Sequence, residues 1–523
     1  MIKKRIIAFL CGLLCLMSTG CGFRTAAAEE RIRYRSSDAF FVNPLIGYMQ
    51  NAEESEPYTE TSLVYIDLTW RELEPERGKF NWGAIAKANH LTRWRAEGKH
   101  AVLRFVCDLP GEEVHRDIPD WLYAATGDGV DYATDYGRGY CPNYTNAVFR
   151  EEHHRALREI GRYFTENWGA FVSYVELGSL GHWGEWHVKY ADGLPYLPKT
   201  EIRKEYVEAY VAAFPNARLL SRRSFQEMPE GTGIYNDVTG NVPETERLLR
   251  ELSEGADFGS AREEDAIRPL PDIWNSAPVG GEYTSSLSME SMLNRDFRST
   301  LRLIEASHPS FLGPKIPDMR GTAEETAAAD TGEEDEAGGD GSLSAGALRS
   351  AEESIRTTDA GEEDSDGALS ETALRNARRI QGMLGYRYRV TEISISDTAT
   401  DDGVVATLYK QLTGQMGTPA EYKCVRVTLR NDGLAPMYFD WPVKLYLVKD
   451  GDRTKCSSYP VGGLQLTKIP EDSEASAEVL IPAAELDAEN TQLYIGIEDP
   501  ESGKPVVQLA MDVPTLDGMY LLR

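Results

Sequence analysis

Eight short apolar segments, rich in β-branched and aromatic residues, recur between residues 40 and 320 and constrain the fold of this chain more than any other feature. The stretches between them carry apolar residues about 3.6 positions apart, the period of a helix with one buried face. The strand segments are 42–49, 62–69, 100–107, 172–178, 217–222, 233–238, 277–283 and 309–312. Strands that alternate with helices in this way are typical of a (β/α)8 TIM barrel, an α/β fold, which we predict over residues 40–385.

The helices of this barrel are predicted from the same periodicity. They are expected at 83–97, 146–166, 200–213, 243–253, 288–306 and 373–384. The connection between the fifth and sixth strands is short, so we expect its helix to be reduced or missing.

Residues 321–371 interrupt the barrel before its last helix and have a different composition. They hold sixteen acidic and two basic side chains, a net charge of −14, and almost no large apolar residue. Such a segment buries too little apolar surface to offset the conformational entropy of an ordered chain. We therefore predict a disordered acidic insertion within the barrel.

From residue 386 to residue 523, apolar and polar residues alternate with period two in short segments. Gly, Asn, Asp and Pro separate these segments, and no helical stretch of any length intervenes. Alternation of this kind is typical of strands with one buried face. The prediction for 386–523 is an antiparallel β-sandwich domain.

The beginning of the chain is typical of an export signal. A basic stretch at 3–5 precedes an apolar run at 6–17, which is too short to span a bilayer, and small residues then lead to Cys21. This order resembles the lipoprotein box of bacterial signal peptides, in which the cysteine is lipidated. We expect a signal peptide at 1–20, a polar tether at 21–39 and an extracytoplasmic protein, anchored to the membrane by a lipid on Cys21 or secreted.

Four cysteines lie outside the predicted signal, at positions 107, 141, 424 and 456. Exported chains often oxidise such residues in pairs. Two disulfides, Cys107–Cys141 and Cys424–Cys456, and free buried thiols are both compatible with the sequence.

The chain is strongly acidic, with 55 basic and 84 acidic side chains and a formal charge of −29 at pH 7. About half of this excess lies in the insertion at 321–371, so the remainder has an ordinary acidic surface. Negative charge repels a phosphate backbone, and we therefore expect no nucleic-acid partner.

Polar side chains follow six of the predicted barrel strands, and the loop after the fourth strand reads Gly-His-Trp-Gly-Glu-Trp-His. In a TIM barrel, functional residues gather where the strands end, on the carboxyl-terminal face. The candidate residues for a ligand site at this face are Asp67, Trp70, Arg104, Glu176, His182, Trp183, Glu185, Trp186, His187, Arg222, Asp237 and Glu282.

Carboxyl groups beside tryptophans suit the hydrolysis of glycosides. One carboxyl must protonate the leaving oxygen, and the other must attack the anomeric carbon or activate water. Indole rings stack on the apolar C–H faces of sugars. Glu176 and Glu185 at the fourth strand and Glu282 at the seventh are the candidate catalytic residues, and we expect the other candidates to bind a carbohydrate.

Several motifs resemble known families. The segment 70–82 (WRELEPERGKFNW) resembles the signature after strand two of clan A glycoside hydrolases, such as family 42 β-galactosidases. The segments 43–47 (NPLIG), 118–121 (IPDW) and 181–187 (GHWGEWH) resemble a family of exported bacterial proteins with a domain of unknown function, regarded as glycoside-hydrolase-like. The resemblance implies a barrel followed by a sandwich and an extracytoplasmic carbohydrate role, without a defined substrate.

The same resemblance implies catalytic roles. Clan A enzymes usually carry Asn-Glu at the end of strand four, the Glu being the acid/base, whereas Val175 precedes Glu176 here. Glu176 and Glu185 therefore compete for this role, and we favour Glu185 because an apolar setting in its aromatic loop would raise its pKa. Glu282 matches the nucleophile, with Asp237 as the reserve carboxylate. A retaining enzyme would hold the pair about 5 Å apart.

Two functions remain open from the sequence. One is a retaining glycoside hydrolase that acts on oligo- or polysaccharide, favoured by the Trp-Glu-Trp loop and Glu282. The other is a non-catalytic carbohydrate-binding surface lipoprotein on the same barrel, favoured by the missing Asn before Glu176. His182, Glu185 and His187 lack the helical spacing of a zinc site, so we expect no metal, and no cofactor is predicted. The oligomeric state is left open.

Overall fold

The structure, a computed structural model, describes residues 29–257, 266–320, 368–397 and 422–523. The strands in these ranges are β1 Glu29–Arg33, β2 Gly47–Asn51, β3 Leu63–Thr69, β4 His100–Val106, β5 Val130–Thr134, β6 Gly137–Cys141, β7 Val172–Glu176, β8 Arg218–Ser221, β9 Gly233–Thr239, β10 Ala256–Asp257, β11 Ala266–Ile267, β12 Val279–Tyr283, β13 Phe311–Leu312, β14 Tyr388–Asp397, β15 Tyr422–Asn431, β16 Val443–Lys449, β17 Cys456–Pro460, β18 Glu474–Pro482, β19 Thr491–Asp499, β20 Lys504–Pro505, β21 Thr515–Leu516 and β22 Met519–Leu521. The α-helices are α1 Trp70–Leu73, α2 Trp82–Ala88, α3 Leu91–Ala96, α4 Asp120–Thr126, α5 Ala147–Trp168, α6 Thr200–Ala213, α7 Val242–Glu254, α8 Met289–Leu293, α9 Phe297–Ser307, α10 Glu371–Met383 and α11 Ala483–Leu486.

Eight parallel strands form a barrel in the order β13, β2, β3, β4, β7, β8, β9 and β12. Two backbone hydrogen bonds join the first and last of these strands: Ser310 N–H donates to the Val279 carbonyl, and Gly313 N–H donates to the Gly281 carbonyl, each at 2.7 Å. The predicted TIM barrel is therefore confirmed, with each strand within a few residues of its expected position.

Side chains alternate between the two faces of each barrel strand, as the geometry of a strand requires. On β3, Val64, Ile66 and Leu68 point outward into the core beneath the helices. Leu63 and Tyr65 point inward, into a core that fills the barrel interior. By the same alternation, Asp67, two positions after Tyr65, points inward at the mouth of the barrel.

The helices follow the predicted pattern with two breaks and one absence. The predicted helix at 288–306 is divided into α8 and α9. The predicted helix at 83–97 is split into α2 and α3 at His90, which adopts a left-handed conformation with φ of 47°. The short connection at 222–232 between β8 and β9 contains no helix, as expected. α5 begins at the Asn146 side chain, which accepts hydrogen bonds from the first helical N–H groups.

The carboxyl-terminal part of the chain forms two antiparallel sheets, which confirms the predicted β-sandwich. One sheet has the order β1, β14, β15 and β18, and the other has the order β17, β16, β19, β22 and β21. Part of the segment predicted as a polar tether contributes β1 to the first sheet, where Ile32 lies opposite Ile393. The reason is that β14 offers an open edge and Ile32 packs against the apolar core of the sandwich.

The sandwich covers the amino-terminal end of the barrel. Arg218, at the start of β8, donates to the carbonyl of Tyr438 at 2.8 Å. His100, at the start of β4, packs against Trp441 with ring centroids 6.0 Å apart. One apolar core continues from the barrel interior into the sandwich. The opposite, carboxyl-terminal face is therefore the one left to bind a ligand.

Two predicted segments lie outside the described residues: the signal peptide at 1–20 and nearly all of the acidic insertion, since description resumes at residue 368. No helix in the described ranges is long and apolar enough to cross a membrane. Both Cys107 and Cys141 are buried free thiols, and Cys424 and Cys456 are also free, so neither candidate disulfide is formed.

Candidate functional site

The carboxyl-terminal mouth of the barrel is lined by charged side chains at neighbouring strand ends. Asp67 on β3 lies opposite Arg104 on β4, and Arg104 lies opposite Glu176 on β7. Further around the ring come Arg222 after β8, Asp237 on β9 and Glu282 on β12. Inward-facing positions at strand ends therefore bring together charged residues that are far apart in the sequence.

Arg104 and Glu176 form a buried ion pair at the base of this mouth. Arg104 Nε donates to Glu176 Oε2 at 2.8 Å, and the Tyr65 hydroxyl donates to the same oxygen at 3.2 Å. The guanidinium lies over the Tyr235 ring, 4.9 Å from its centroid. Burial raises the pKa of Glu176, and Arg104 opposes this rise. A carboxylate held so tightly is more suited to positioning Arg104 than to attacking a substrate.

Glu185 is presented by the loop 177–189, which is folded tightly on itself. His182 N–H donates to the His187 carbonyl and Trp186 N–H donates to the Leu180 carbonyl, each at 2.9 Å. Gly184 has φ of 72°, and a Cβ at this position would collide with the carbonyl of Gly178. The glycines of this segment therefore permit the sharp turn that directs Glu185 into the barrel mouth.

Two arginines and a histidine, and not an apolar pocket, surround the Glu185 carboxylate. Its Oε2 lies 3.2 Å from His187 Nε2 and 3.6 Å from Arg222 Nε. Its Oε1 lies 4.0 Å from Arg104 Nη1. The apolar setting that the aromatic loop suggested for Glu185 is therefore wrong, because the loop turns its indole rings away from this side chain.

Glu282 has the setting that was expected of Glu185. Gly281, with φ of 152°, precedes it at an irregularity in the pairing of β12 with β9. No hydrogen bond or ion pair to its carboxyl group occurs within the described part of the chain. Burial is the main cause that raises the pKa of Glu282 to about 8; Arg104 opposes this shift, and repulsion from Glu185 adds to it. Glu282 is therefore protonated at neutral pH.

The two aspartates of the mouth also differ in their contacts and in the direction in which their pKa values shift. Arg222 binds both carboxylate oxygens of Asp237, at 3.0 and 2.9 Å. Burial alone would raise the pKa of Asp237, but this clamp lowers it to about 2. Asp67 Oδ1 is buried without a hydrogen-bond partner. Burial raises the pKa of Asp67 to about 6, against the attraction of Arg104.

His182, predicted to bind substrate, is completely buried and serves the scaffold. Its Nδ1 lies 3.0 Å from Asp108 Oδ2, and its Nε2 accepts a hydrogen bond from the Lys189 N–H at 3.3 Å. The Tyr132 hydroxyl donates to the other oxygen of Asp108 at 2.5 Å. With both ring nitrogens engaged, His182 fixes the loop 177–189 and does not reach a ligand.

Two of the tryptophans predicted to bind sugar are also core residues. Trp70 is fully buried, and its Nε1 donates to Glu74 Oε2 at 3.0 Å, so Glu74 braces the turn after β3. Trp186 is 4% exposed, donates to the Leu177 carbonyl at 2.7 Å and stacks on Phe225. Burial of a large apolar ring in the core stabilises the fold, and the sequence motifs did not indicate that these two rings are buried.

Trp183 remains available at the rim of the mouth. Its ring lies 5.2 Å from that of Tyr136, and Tyr136 also packs 5.9 Å from His187. Its backbone N–H donates to the Asp108 carbonyl at 2.8 Å, and its carbonyl accepts from Arg104. Trp183 therefore lies beside His187, and His187 contacts Glu185.

Sequence reasoning missed Tyr65 and Tyr235 as parts of this site. Tyr65 and Tyr235 each precede a candidate aspartate by two residues, so the period-two pattern of a strand was the signal that places them on the same inward face. Tyr136, in the turn between β5 and β6, belongs to a long segment rich in aromatic residues, and this composition was a signal for a loop that lines the site. Within the described ranges, no group of three or more metal-ligating side chains that could hold an ion occurs.

The chain was compared with known proteins. No family model matches it, and no curated protein matches it. It is similar to endo-glycoceramidase II from Rhodococcus sp. (12% identity over 87% of this chain and all of that one, TM-score 0.33). It is also similar to a GH30 endoxylanase from Clostridium papyrosolvens C71 (9%, 90% and 100%, TM-score 0.29) and to a GH5-4 endoglucanase from an uncultured bacterium (12%, 53% and 88%, TM-score 0.31).

These neighbours are glycoside hydrolases by name, and their TM-scores and identities are low. The fold therefore rests on the strand order and the hydrogen-bonded ring described above. The resemblance to family 42 and to the exported bacterial family stays a prediction. The structure itself establishes a TIM barrel followed by a β-sandwich, with paired and unpaired carboxyl groups converging at one mouth.

Proposed function

We propose that the protein hydrolyses glycosidic bonds in oligo- or polysaccharides, with Glu282 and Glu185 as its catalytic pair. The observation that carries this proposal is the contrast between two carboxyl groups at one mouth. Glu282 contacts no cation in the described part of the chain, whereas Glu185 contacts Arg104, Arg222 and His187. Opposite electrostatic settings of this kind assign an acid and a base to two otherwise identical groups.

In the proposed reaction, protonated Glu282 donates its proton to the glycosidic oxygen as the bond to the anomeric carbon breaks. The Glu185 carboxylate attacks that carbon and forms a covalent glycosyl intermediate, which is the retaining course. Water then attacks the intermediate while Glu282 accepts its proton, which restores both groups. These roles are the reverse of those implied by the resemblance, because the positive charges surround Glu185.

The other groups of the mouth are proposed to bind the sugar. Asp67 offers an unpartnered oxygen for a hydroxyl group, and the ring of Trp183 offers a face for the sugar C–H groups. Arg222 is held by Asp237 and lies 3.6 Å from the Glu185 carboxylate. Proton transfer by Glu282 and attack by Glu185 require no metal ion.

The test is a panel of glycans incubated with the wild type, with Glu282→Gln and Glu185→Gln, and with Asp192→Asn as the matched control. Asp192 is an exposed carboxylate in the loop that follows Glu185. We expect each Gln variant to lose about 100-fold or more of the turnover rate, the usual contribution of a positioned acid or base, and the control to lose none. Hydrolysis that persists in both Gln variants would reject the proposed pair.

The pH dependence gives a second test of the roles. Because the acid acts only while protonated, kcat/KM is expected to fall as the pH rises above about 8, the pKa of Glu282. The fall should be absent from any residual activity of the Glu282→Gln variant. A wild-type profile that rises through pH 8 would contradict Glu282 as the acid.

A non-catalytic carbohydrate-binding role is the second candidate. It is favoured by the ion pairs that already occupy Glu176 and Asp237, since paired carboxylates bind hydroxyl groups without promoting cleavage. Binding of a glycan by the wild type without turnover, on any member of the panel, would select this role.

We also propose that the protein acts outside the cytoplasm, anchored by a lipid on Cys21. The support is the basic, apolar and small-residue order of the first residues. Cells fed radiolabelled palmitate should incorporate the label into the wild type and not into Cys21→Ala. A labelled Cys21→Ala variant, or an unlabelled wild type retained in the cytoplasm, would reject the anchor.

A further inference from the structure

Three tyrosines are exposed among the described residues, and all three border the candidate site. Tyr136 is 41% exposed, Tyr190 is 39% exposed and Tyr196 is 51% exposed. Tyr136 lies in the β5–β6 turn, which packs on the rim beside Trp183. Tyr190 and Tyr196 lie in the segment that leaves the Glu185 loop. Exposed aromatic rings gathered at one edge of a mouth differ from the scattered apolar residues of an ordinary surface.

Tyr190 and Tyr196 form a stacked pair. Their ring centroids are 4.7 Å apart, and their planes are inclined by 24°. Gly193, with φ of 89°, reverses the chain between them and brings the two rings together. The pair stands on the surface, so the loop holds a broad aromatic face toward solvent.

This face is connected to the catalytic mouth by short links. His187 contacts Glu185, and Tyr190 follows His187 by three residues, which places their Cα atoms within about 11 Å. Lys189 lies between them, with its ammonium 4.3 Å from the centroid of the Tyr136 ring. Tyr136 in turn contacts His187. Lys189, which precedes Tyr190 in the chain, therefore links Tyr136 at the rim to the segment that carries the stacked pair.

We propose that Tyr190 and Tyr196 form an outer carbohydrate subsite, continued inward by Tyr136 and Trp183, so that the ligand is an extended glycan chain of several pyranose units. The inference rests on the proposed function in one respect, that the mouth binds carbohydrate. An aromatic face binds a pyranose through its C–H groups and tolerates many sugar identities. The affinity of this subsite should therefore depend on the length of the glycan more than on the type of sugar.

The test measures how affinity changes with chain length. Oligosaccharides of two to eight units from cellulose, xylan, chitin, chitosan, β-1,3-glucan and homogalacturonan are titrated calorimetrically into the Glu282→Gln protein, which prevents cleavage. We expect affinity to rise about tenfold from the shortest to the longest bound member of a series. This is the contribution expected when one or two aromatic rings stack on the sugar. Tyr190→Ala/Tyr196→Ala in the same protein should abolish this gain and leave the affinity for the shortest member unchanged.

Two further variants separate binding from a structural role of the stack. Tyr196→Phe keeps the ring and should keep the gain with length. Phe40→Ala removes a ring that is 41% exposed outside the site and should change no affinity. Affinity that does not depend on length, or a gain that survives in the double Ala variant, would overturn the subsite.

The outcomes also distinguish this inference from the proposed function. If length-dependent binding is lost in the double Ala variant although the wild type cleaves no glycan, the subsite stands and the hydrolase proposal fails. If Glu282-dependent hydrolysis proceeds with the same kcat/KM on short and long chains and in the double Ala variant, the hydrolase stands and the subsite fails. Binding of no oligosaccharide at all would overturn both.

Discussion

Glu282 enters the barrel mouth without a cation of its own, whereas Glu176, Glu185 and Asp237 each contact an arginine. The sequence placed all four at strand ends but gave no means of pairing them, because pairing depends on which neighbouring strand contributes each guanidinium. The aromatic residues around Glu185 suggested an apolar setting, but Arg104 on β4 and Arg222 after β8 lie beside its carboxylate instead. At the scale of single residues, the electrostatic roles were therefore decided by contacts between distant segments.

The raised pKa of Glu282 predicts a pH-dependent cost in stability. The unfolded carboxyl ionises near pH 4.5 and the folded one near pH 8, so the wild type loses stability as the pH rises between these values. The loss has an upper bound of about 1.4 kcal/mol per pH unit. Glu282→Gln does not titrate, and its advantage in unfolding free energy should grow from pH 5 to pH 8 and then level off. Urea unfolding of the wild type and of Glu282→Gln across this pH range measures the difference in unfolding free energy. A difference that does not change with pH would contradict the raised pKa of Glu282.

Arg104 is expected to be indispensable while Glu176 is charged. Arg104→Met leaves a buried carboxylate without its cation and should lower the free energy of unfolding by about 3–5 kcal/mol. Arg104→Met/Glu176→Gln removes both charges and should recover part of that loss. Urea denaturation of the two variants measures the difference. A double variant less stable than the single one would show that the pair does not behave as a buried ion pair.

At the scale of elements, the period of the apolar pattern predicted the barrel strands and most helices within a few residues. Three differences stand out: His90 breaks the predicted helix at 83–97, residues 294–296 divide the predicted helix at 288–306, and β1 forms from a segment that is polar apart from Ile32. The loop 177–189 was recognised as functional, but the direction of its side chains was not. Left-handed Trp183 and Trp186 turn one indole to the rim and the other into the core.

Gly184 is predicted to be the residue on which the direction of this loop depends. Gly184→Ala adds a Cβ that meets the carbonyl of Gly178, so Glu185 must shift and ligand binding or turnover should be lost. Gly231→Ala is the matched control, since Gly231 has φ of 83° and open space around it. Both variants carry a left-handed alanine and should lose about 1–2 kcal/mol of stability. Equal activity in the two variants would show that the loop tolerates the displacement.

At the scale of the whole molecule, the barrel and the sandwich share one apolar core that runs through the amino-terminal face of the barrel. Tyr174 inside the barrel packs 5.6 Å from Phe439 of the sandwich. Because the core is shared, the barrel and the sandwich stabilise each other. The shared core also explains why, among the described residues, the sandwich lies against the amino-terminal face and not against the carboxyl-terminal face.

We expect the two parts to unfold together. Trp441→Ala removes a buried ring at the contact with His100 and should lower the unfolding free energy by about 3–5 kcal/mol while keeping one transition. Leu480→Ala, at a position that is 57% exposed on the sandwich, should change it little. Calorimetry and hydrogen exchange in both parts measure this, and two separate transitions in the wild type would contradict the shared core.

Periodicity of apolar residues fixed the architecture of this protein, because burial of one strand face or one helix face is a local requirement written into neighbouring positions. Position along each strand likewise fixed which charged residues reach the mouth, Asp67 and Glu282 among them. Packing in three dimensions decided the rest: that Trp70, Trp186 and His182 are buried, and that Glu185 lies between two arginines while Glu282 contacts no cation in the described part of the chain. Burial and pairing of a side chain depend on what distant segments place around it, and no local pattern encodes that.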